Sequence, residues 1–206
     1  LDKIAFDRAM NEQRERARAA RQENQRVAVP DLSGIDTVNL HVDSNAEEST
    51  VVAIWKDGAL VEELHDGEEA GIILKETPFY AEGGGQVGDE GLLQSELGRI
   101  HVSNAKKLPD GTVYHIGYIE EGILRVHDRV SIKIDAAKKL SSARNHTATH
   151  LLQAALKHVV GAQVNQAGSL VTPERLRFDF SNFEPVTPLQ LEEVERMVNE
   201  QILMAK

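Results

Sequence analysis

Between residues 37 and 134 the sequence is a succession of short segments rich in Val, Ile, Leu and Thr, and this pattern restricts the possible folds most. Turn-forming pairs such as Asp57-Gly58 and Asp66-Gly67 separate several of the segments. Strands are predicted over residues 37–42, 50–54, 71–74, 99–102, 112–116 and 130–134. Because no helical pattern lies between them, these strands predict a small β-barrel or a sandwich.

The pattern changes at Asp135, a good helix N-cap, and helical spacing of apolar and small residues then continues as far as Gly161. This predicts a helix over residues 136–160 that faces a core. Its core-facing positions are expected to be Leu140, Ala143, Ala148, Leu151, Leu152, Ala155, Leu156 and Val159. Two strands are predicted after it, over residues 162–170 and 175–180, so the fold class is expected to be α+β.

A last helix is predicted from a capping box formed by Thr187, Pro188 at the first helical position and Gln190. One face of this helix is expected to carry Leu191, Val194, Val198 and Ile202. At the other end of the chain, residues 2–26 are rich in helix formers but polar on every face, which is typical of a solvated connector helix. We therefore expect a connector helix over residues 1–28, a β-barrel over 29–135 and an α+β core over 136–206.

Composition excludes several classes of protein. There is no cysteine, hence no disulfide framework, and no apolar run or secretory signal that predicts a membrane span or export. A cytoplasmic location and no membrane partner are expected. The net charge of -10 argues against binding nucleic acid by bulk electrostatics, so any RNA contact must be local. Because Leu1 is not a natural start, the sequence is expected to be part of a longer chain.

His146 and His150 are four residues apart on the predicted helix, which places both imidazoles on one face within reach of a single metal ion. Metalloproteases share this spacing, but the intervening Thr147-Ala148-Thr149 contains no Glu to act as the general base. Two histidines are also fewer than the three or four protein ligands of a typical zinc site. Taken alone, the pair is more simply explained as structural.

A second candidate is the segment Gly83-Gly84-Gly85 with Gln86 directly after it. Consecutive glycines allow backbone N–H groups to approach a ligand closely, and an anion or a sugar-phosphate end fits such a loop. The Gln86 amide adds a hydrogen-bonding group for an ester carbonyl or a ribose hydroxyl. For a bare glycine triplet, a tight turn at the end of a strand is the simpler explanation.

Considered together, these segments resemble a known family. The run TPFYAEGGGQVGD at residues 77–89 resembles the glycine-rich motif of alanyl-tRNA synthetase editing domains, and RNHTATHLL at 144–152 resembles the family's first metal motif. The runs QAGSLV at 166–171 and RLRFDFS at 175–181 are similar to the segments that follow, and FDRAMNEQR at 6–14 resembles the family's connector helix. The resemblance covers nearly the whole chain in the same order.

The resemblance implies a small β-barrel that carries the glycine loop, followed by an α+β editing core related to free-standing alanyl-tRNA editing proteins and to threonyl-tRNA synthetases. It implies hydrolysis of Ser-tRNA(Ala) and Gly-tRNA(Ala), because a pocket that accepts Ala cannot strongly reject smaller Gly or hydroxylated Ser. The implied partners are the acceptor end of tRNA(Ala) and other domains of the same synthetase. ATP and Mg²⁺ are implied only for a ligase domain upstream.

The resemblance also implies roles for individual residues. Zinc would be held by His146 and His150 together with the Cys and His of a second motif, CxxxH, which this cysteine-free sequence lacks. The chain is therefore expected to bind zinc weakly or not at all and to be inactive alone. Gln86 and the loop glycines would hold the terminal adenosine and the ester. Thr77 would contact the amino acid and hydrogen-bond the Ser hydroxyl. The family motif often has Ser where this chain has Gly83, and we interpret the difference as tolerated.

Two other functions fit parts of the sequence. A GGQ sequence also serves ester hydrolysis in peptide-chain release factors, but in a context without an HxxxH helix. A non-catalytic alternative makes the chain a tRNA-docking or structural module of the synthetase.

Overall fold

The structure is a computed structural model that describes Leu32, Ile35, residues 38–39 and residues 46–204. The predicted connector helix over residues 1–28 lies outside the described residues. The described part combines a closed barrel with a smaller unit of two strands and two helices, so the predicted α+β class is confirmed.

The chain order places ten strands before the first described helix. The strands are β1 Val38–Asn39, β2 Glu48–Lys56, β3 Ala59–Val61, β4 Glu63–His65, β5 Glu69–Leu74, β6 Glu76–Thr77, β7 Gly91–Gln94, β8 Gly98–Lys107, β9 Val113–Arg125, β10 Arg129–Ile134, β11 Asn165–Val171 and β12 Leu176–Ser181. The helices are α1 Ala136–Val159 and α2 Pro188–Leu203. The strands β3, β4, β6 and β7 were not predicted, and each has only two to four residues.

Six strands close the barrel in the order β10-β7-β8-β9-β5-β2, and β10 pairs again with β2 to complete the circuit. The closing pairs run antiparallel from Arg129 opposite Thr50 to Ser131 opposite Glu48. A bulge between Val51 and Ala53 shifts the register of β2 against β5, and such bulges increase strand bending. The barrel alternative is therefore confirmed over the sandwich.

Alternation along the strands fills the barrel with apolar side chains. On β8, Ile100 and Val102 are fully buried, whereas Arg99 before them and Ser103 after them are exposed to solvent. The barrel core also contains Ile54, Ile72, Leu93 and Leu124 among other buried residues. The wall that carries the glycine segment is thus a rigid, fully packed support.

Helix α1 begins as predicted, because the Asp135 carboxylate accepts a hydrogen bond from the Lys138 amide. Its second half packs Ala155 and Leu156 against Val194 of α2. The prediction that Leu140 and Ala143 face a core is wrong, since both side chains are exposed, Leu140 to 58%. In the first turns the buried position is Ser142, which lies about 160° around the helix from Leu140.

Helix α2 begins at the predicted capping box, with Thr187 Oγ1 accepting from the Gln190 amide and Gln190 Oε1 accepting from the Thr187 amide. Only the middle of its predicted apolar face is covered. Val194 is buried, whereas Leu191 and Ile202 are 54% and 53% exposed, because α1 covers less of α2 than the apolar pattern predicts. Neither described helix is long and apolar enough to cross a bilayer.

Candidate functional site

The glycine segment forms a tight two-residue hairpin turn. Gly83 and Gln86 exchange backbone hydrogen bonds of 3.1 and 3.0 Å, so Gly84 and Gly85 make the turn between them. Both turn residues have positive φ, at 60° and 84°, as a type I′ turn requires. The alternative of a tight turn is therefore correct, and the hairpin presents its glycine amides at the tip.

This hairpin docks against β11 from the second unit of the fold. The Val171 amide donates to Gly85 O at 2.7 Å, and the Val87 amide donates to Val171 O at 3.1 Å. A Cβ added at Gly85 would lie 2.4 Å from Ser169 Oγ and 2.5 Å from Ser169 O. No larger residue fits at position 85 without moving β11, so this glycine is required by contact as well as by conformation.

The docked hairpin brings Gln86 to the histidine helix. Gln86 Oε1 lies 2.8 Å from His146 Nδ1. With the amide oxygen facing the ring, the proton resides on Nδ1, which donates the hydrogen bond. The lone pair of His146 Nε2 then remains available for another ligand. The resemblance implied that both residues belong to one site, and the structure brings their side chains into contact.

The two histidines of α1 are brought together, with ring centroids 5.0 Å apart and ring planes inclined by 53°. His146 is half-buried and His150 is exposed. Among the described residues there is no group of three or more His, Cys, Asp or Glu that could hold a metal ion. The pair therefore fits half of a tetrahedral zinc site, and two further ligands would have to join it.

Thr77 lies in a different environment, in β6 at the barrel wall. It is 3% exposed, and its Oγ1 lies 2.7 Å from Nε2 of the fully buried His115. Burial lowers the pKa of His115 to about 4, so the ring is neutral; its Nδ1 donates to Ile72 O at 2.9 Å. The Thr77 hydroxyl therefore donates to Nε2, and it accepts the Phe79 amide at 3.2 Å. His115, which sequence reasoning did not single out, is thus the partner of Thr77.

Sequence reasoning missed an ion pair beside the hairpin, in which the Asp89 carboxylate is buried and the Lys139 side chain is 31% exposed. The Asp89 side chain is only 4% exposed and accepts from Lys139 Nζ at 2.8 Å and from the Tyr80 amide at 2.9 Å. The Tyr80 hydroxyl donates to Gly83 O, and its pKa is raised by burial and by the Asp89 charge. Lys139 lies seven residues before His146, and this spacing, which repeats one helix face, was the available signal.

A groove of about 710 Å³ lies elsewhere on the barrel, between Trp55 and Tyr114 over Gly71. None of the hairpin or histidine residues lines it. The Trp55 indole N–H is buried and has no hydrogen-bond partner among the described residues. Because the groove contains none of the candidate site residues that the sequence singles out, the hairpin and α1 remain the better candidate site.

Comparison with known proteins gives consistent results. The family model described as tRNA synthetases class II (A) matches residues 1–138, which ends in the first turn of α1. The chain is 49% identical over 206 residues to the alanine–tRNA ligase of Geobacillus kaustophilus, covering 98% of this chain and 23% of that protein. It is 46% identical over 211 residues to that of Alkaliphilus oremlandii, covering 100% and 24%. For the Bacillus subtilis protein the identity is 44% over 207 residues, covering 98% and 24%. The chain thus spans about a quarter of the length of these relatives.

Proposed function

This chain belongs to the alanine branch of the class II tRNA synthetases, and on that premise we propose that it is the editing region of an alanine–tRNA ligase, hydrolysing Ser-tRNA(Ala) and Gly-tRNA(Ala). The observation that carries the proposal is the contact of Gln86 with His146. It joins the glycine hairpin and the HxxxH helix into one site, although the two residues are 60 positions apart. The proposed partner is the acceptor end of tRNA(Ala), together with other domains of the same synthetase.

The hairpin offers unused donors at its tip. Within the described part of the chain, the amides of Gly84 and Gly85 donate to no protein acceptor, whereas those of Gly83 and Gln86 close the turn. Ester hydrolysis places negative charge on the carbonyl oxygen in its transition state, and preorganised backbone N–H groups stabilise such a charge. We assign the two free amides to the ester carbonyl or to the hydroxyls of the terminal ribose.

Metal binding is a further part of the proposal. His146 and His150 would supply two nitrogen ligands, and two more would come from residues outside those described. When bound, zinc would act as a Lewis acid towards the ester or hold the attacking water. Gln86 keeps the proton of His146 on Nδ1, which leaves Nε2 as the ligand atom. The chain's own contribution is thus a fixed tautomer and a fixed ring orientation.

Recognition of the serine hydroxyl is assigned to Thr77. Its hydroxyl donates a hydrogen bond to His115 Nε2 and accepts one from the Phe79 amide, which leaves one lone pair on Oγ1. Thr77 would therefore accept a hydrogen bond from the Ser hydroxyl, and His115 would fix the orientation of that lone pair. Alanine has no hydroxyl to donate, so such a contact discriminates against the correct product, Ala-tRNA(Ala).

The test compares this 206-residue chain with a longer form of the same protein that carries a CxxxH motif. Both are offered Ser-tRNA(Ala), and release of serine is followed. We expect hydrolysis only by the longer form, lost in its His146→Ala variant and retained in His158→Ala, which changes an exposed histidine on the same helix.

Hydrolysis by neither form would contradict the editing proposal. It would favour the tRNA-docking or structural module, which the absence of a three-ligand group among residues 46–204 also permits.

A further inference from the structure

Two contacts join the hairpin to α1, and they lie on one face of the helix. Gln86 meets His146, and Asp89 meets Lys139. Lys139 and His146 are seven residues apart, which is about 20° short of two full turns and about 10 Å along the helix axis. Two contacts at this separation restrain the rotation of the helix and its position along the hairpin more than either contact alone, in addition to the bond from Asn145 Nδ2 to Thr172 O that holds the same region of the helix.

The contact between Asp89 and Lys139 is hard to break because the Asp89 carboxylate is buried. It is 4% exposed, and its two donors are Lys139 Nζ and the Tyr80 amide. Lys139 Nζ also approaches Pro78 O at 3.5 Å, so the ammonium bridges both strands at the base of the hairpin. A buried carboxylate that loses its cation is strongly unfavourable, so Asp89 must then take up a proton, or the hairpin or the helix must move to let in water.

The neighbouring ion pair of Glu90 with Lys138 differs from the Asp89–Lys139 pair in its exposure to solvent and in its position around the helix. Its side chains are 27% and 43% exposed, so water screens the interaction. Lys138 is eight residues before His146, about 80° around the helix, and does not share its face. The two pairs have the same chemistry and adjacent positions, which makes Lys138 a matched control for Lys139.

We propose that Asp89 and Lys139 are positioning residues that hold α1 in register with the hairpin, so that Gln86 Oε1 stays on His146 Nδ1. The contact geometry stands by itself, while its value for catalysis rests on the proposed editing function, in which Nε2 is the metal ligand. Neither residue touches the reacting atoms. Their effect passes through the tautomer of His146.

The test measures that tautomer directly. The 206-residue chain is labelled with ¹⁵N-histidine, and the nitrogen shifts of His146 are recorded without metal or tRNA at a pH where the ring is neutral. The wild-type protein and Lys138→Met are expected to show a single Nδ1–H tautomer. Lys139→Met is expected to lose this pattern and give a mixture, while Lys139→Arg, which keeps the cation, restores it.

A merely structural pair would lower stability without changing the tautomer. Lys139→Met that remains folded by circular dichroism and keeps the wild-type His146 shifts would overturn the inference. If Lys139→Met does not fold, the double variant Asp89→Asn with Lys139→Gln replaces the ion pair with two neutral amides and carries the same expectation.

The outcome is separable from that of the proposed function. In the longer form, Lys139→Met is expected to lower kcat for Ser-tRNA(Ala) at least tenfold with little change in KM, and Lys138→Met is expected to change neither. A mixed tautomer together with no deacylation by any variant, wild type included, supports the positioning role and refutes the editing proposal. Deacylation by the wild type, together with an unchanged tautomer in Lys139→Met, supports the editing proposal and refutes the positioning role.

Discussion

The docking of the glycine hairpin on β11 makes a sharp prediction about two adjacent glycines. Gly84→Ala and Gly85→Ala introduce the same methyl group at positive φ, 60° and 84° respectively. They differ in their surroundings. A Cβ at Gly84 has nothing within 4 Å, whereas one at Gly85 would lie 2.4 and 2.5 Å from two oxygens of Ser169.

The expected magnitudes follow from these distances. A left-handed backbone costs an alanine roughly 1–2 kcal/mol, and the smaller conformational entropy of the unfolded alanine variant offsets about 0.4–1 kcal/mol of this. Gly84→Ala should therefore destabilise the fold by at most roughly 1.6 kcal/mol. Gly85→Ala carries the same term plus an overpacking cost of typically 1–3 kcal/mol, since Ser169 O is backbone and cannot rotate away.

Urea unfolding measures the difference between the two variants. Trp55 is the only tryptophan and reports on the barrel by fluorescence, while circular dichroism reports on α1 and α2. With m values of about 1–3 kcal/mol/M, a gap of 1–3 kcal/mol separates the two midpoints by on the order of 1 M. Coincident transitions from the two probes would show that both units unfold together.

A third variant locates the clash. Adding Ser169→Ala to Gly85→Ala removes the Oγ contact at 2.4 Å but leaves the carbonyl contact at 2.5 Å, so only part of the lost stability should return. The reasoning is refuted if Gly85→Ala is no less stable than Gly84→Ala. Complete recovery in the double variant would show instead that the carbonyl contact is unimportant.

Three further results are expected. Thr77→Val leaves Nε2 of the buried His115 without its donor, so it should lower the free energy of unfolding in urea by about 1–3 kcal/mol and abolish Ser-tRNA(Ala) hydrolysis in the longer form. Thr77→Ser should retain both stability and hydrolysis. Unchanged rates in Thr77→Val would remove this residue from the pocket. Because burial lowers the pKa of His115 from 6.5 to about 4, its neutral form is favoured in the folded state. The stability that this residue contributes is fully present above pH 6.5, and the free energy of unfolding should fall by about 3 kcal/mol as the pH drops to 4. In His115→Gln, the free energy of unfolding should fall less steeply over the same pH range. Elemental analysis of the 206-residue chain should find well under one zinc per chain, because His146 and His150 alone leave most of the coordination sphere to water; one tightly held zinc would contradict the ligand assignment.

Much of the fold was predictable because many of its determinants are local. Asp135 and Thr187 each accept a hydrogen bond from an amide three residues ahead, so their capping role is readable from sequence alone. Segments rich in Val, Ile, Leu and Thr, several of them separated by turn residues, identified the longer strands. The spacing of His146 and His150 on one helix likewise needs only helix geometry.

Other features depended on partners distant in sequence. The strands β3, β4, β6 and β7 are too short to show a period, and they exist because a neighbouring strand pairs with them. Leu140, Leu191 and Ile202 fit helical patterns but are exposed, because the pattern cannot state which part of a helix a neighbour covers. The strand pattern fits a barrel and a sandwich equally, and only the pairing of β10 with β2 in the structure shows that the sheet closes into a barrel.

For the candidate site, the sequence by itself determined the components: a glycine triplet that permits positive φ, an adjacent Gln86, and two histidines on one helix face. The tertiary structure alone decided how they combine. It docks the hairpin on β11, places Gln86 on His146, buries Thr77 against His115 and inserts the Asp89–Lys139 pair between hairpin and helix. The physical reason is that the conformation of a turn or a helix is governed by energies within a few residues. Contacts between residues 38 or more positions apart depend instead on which surfaces the packed core brings together.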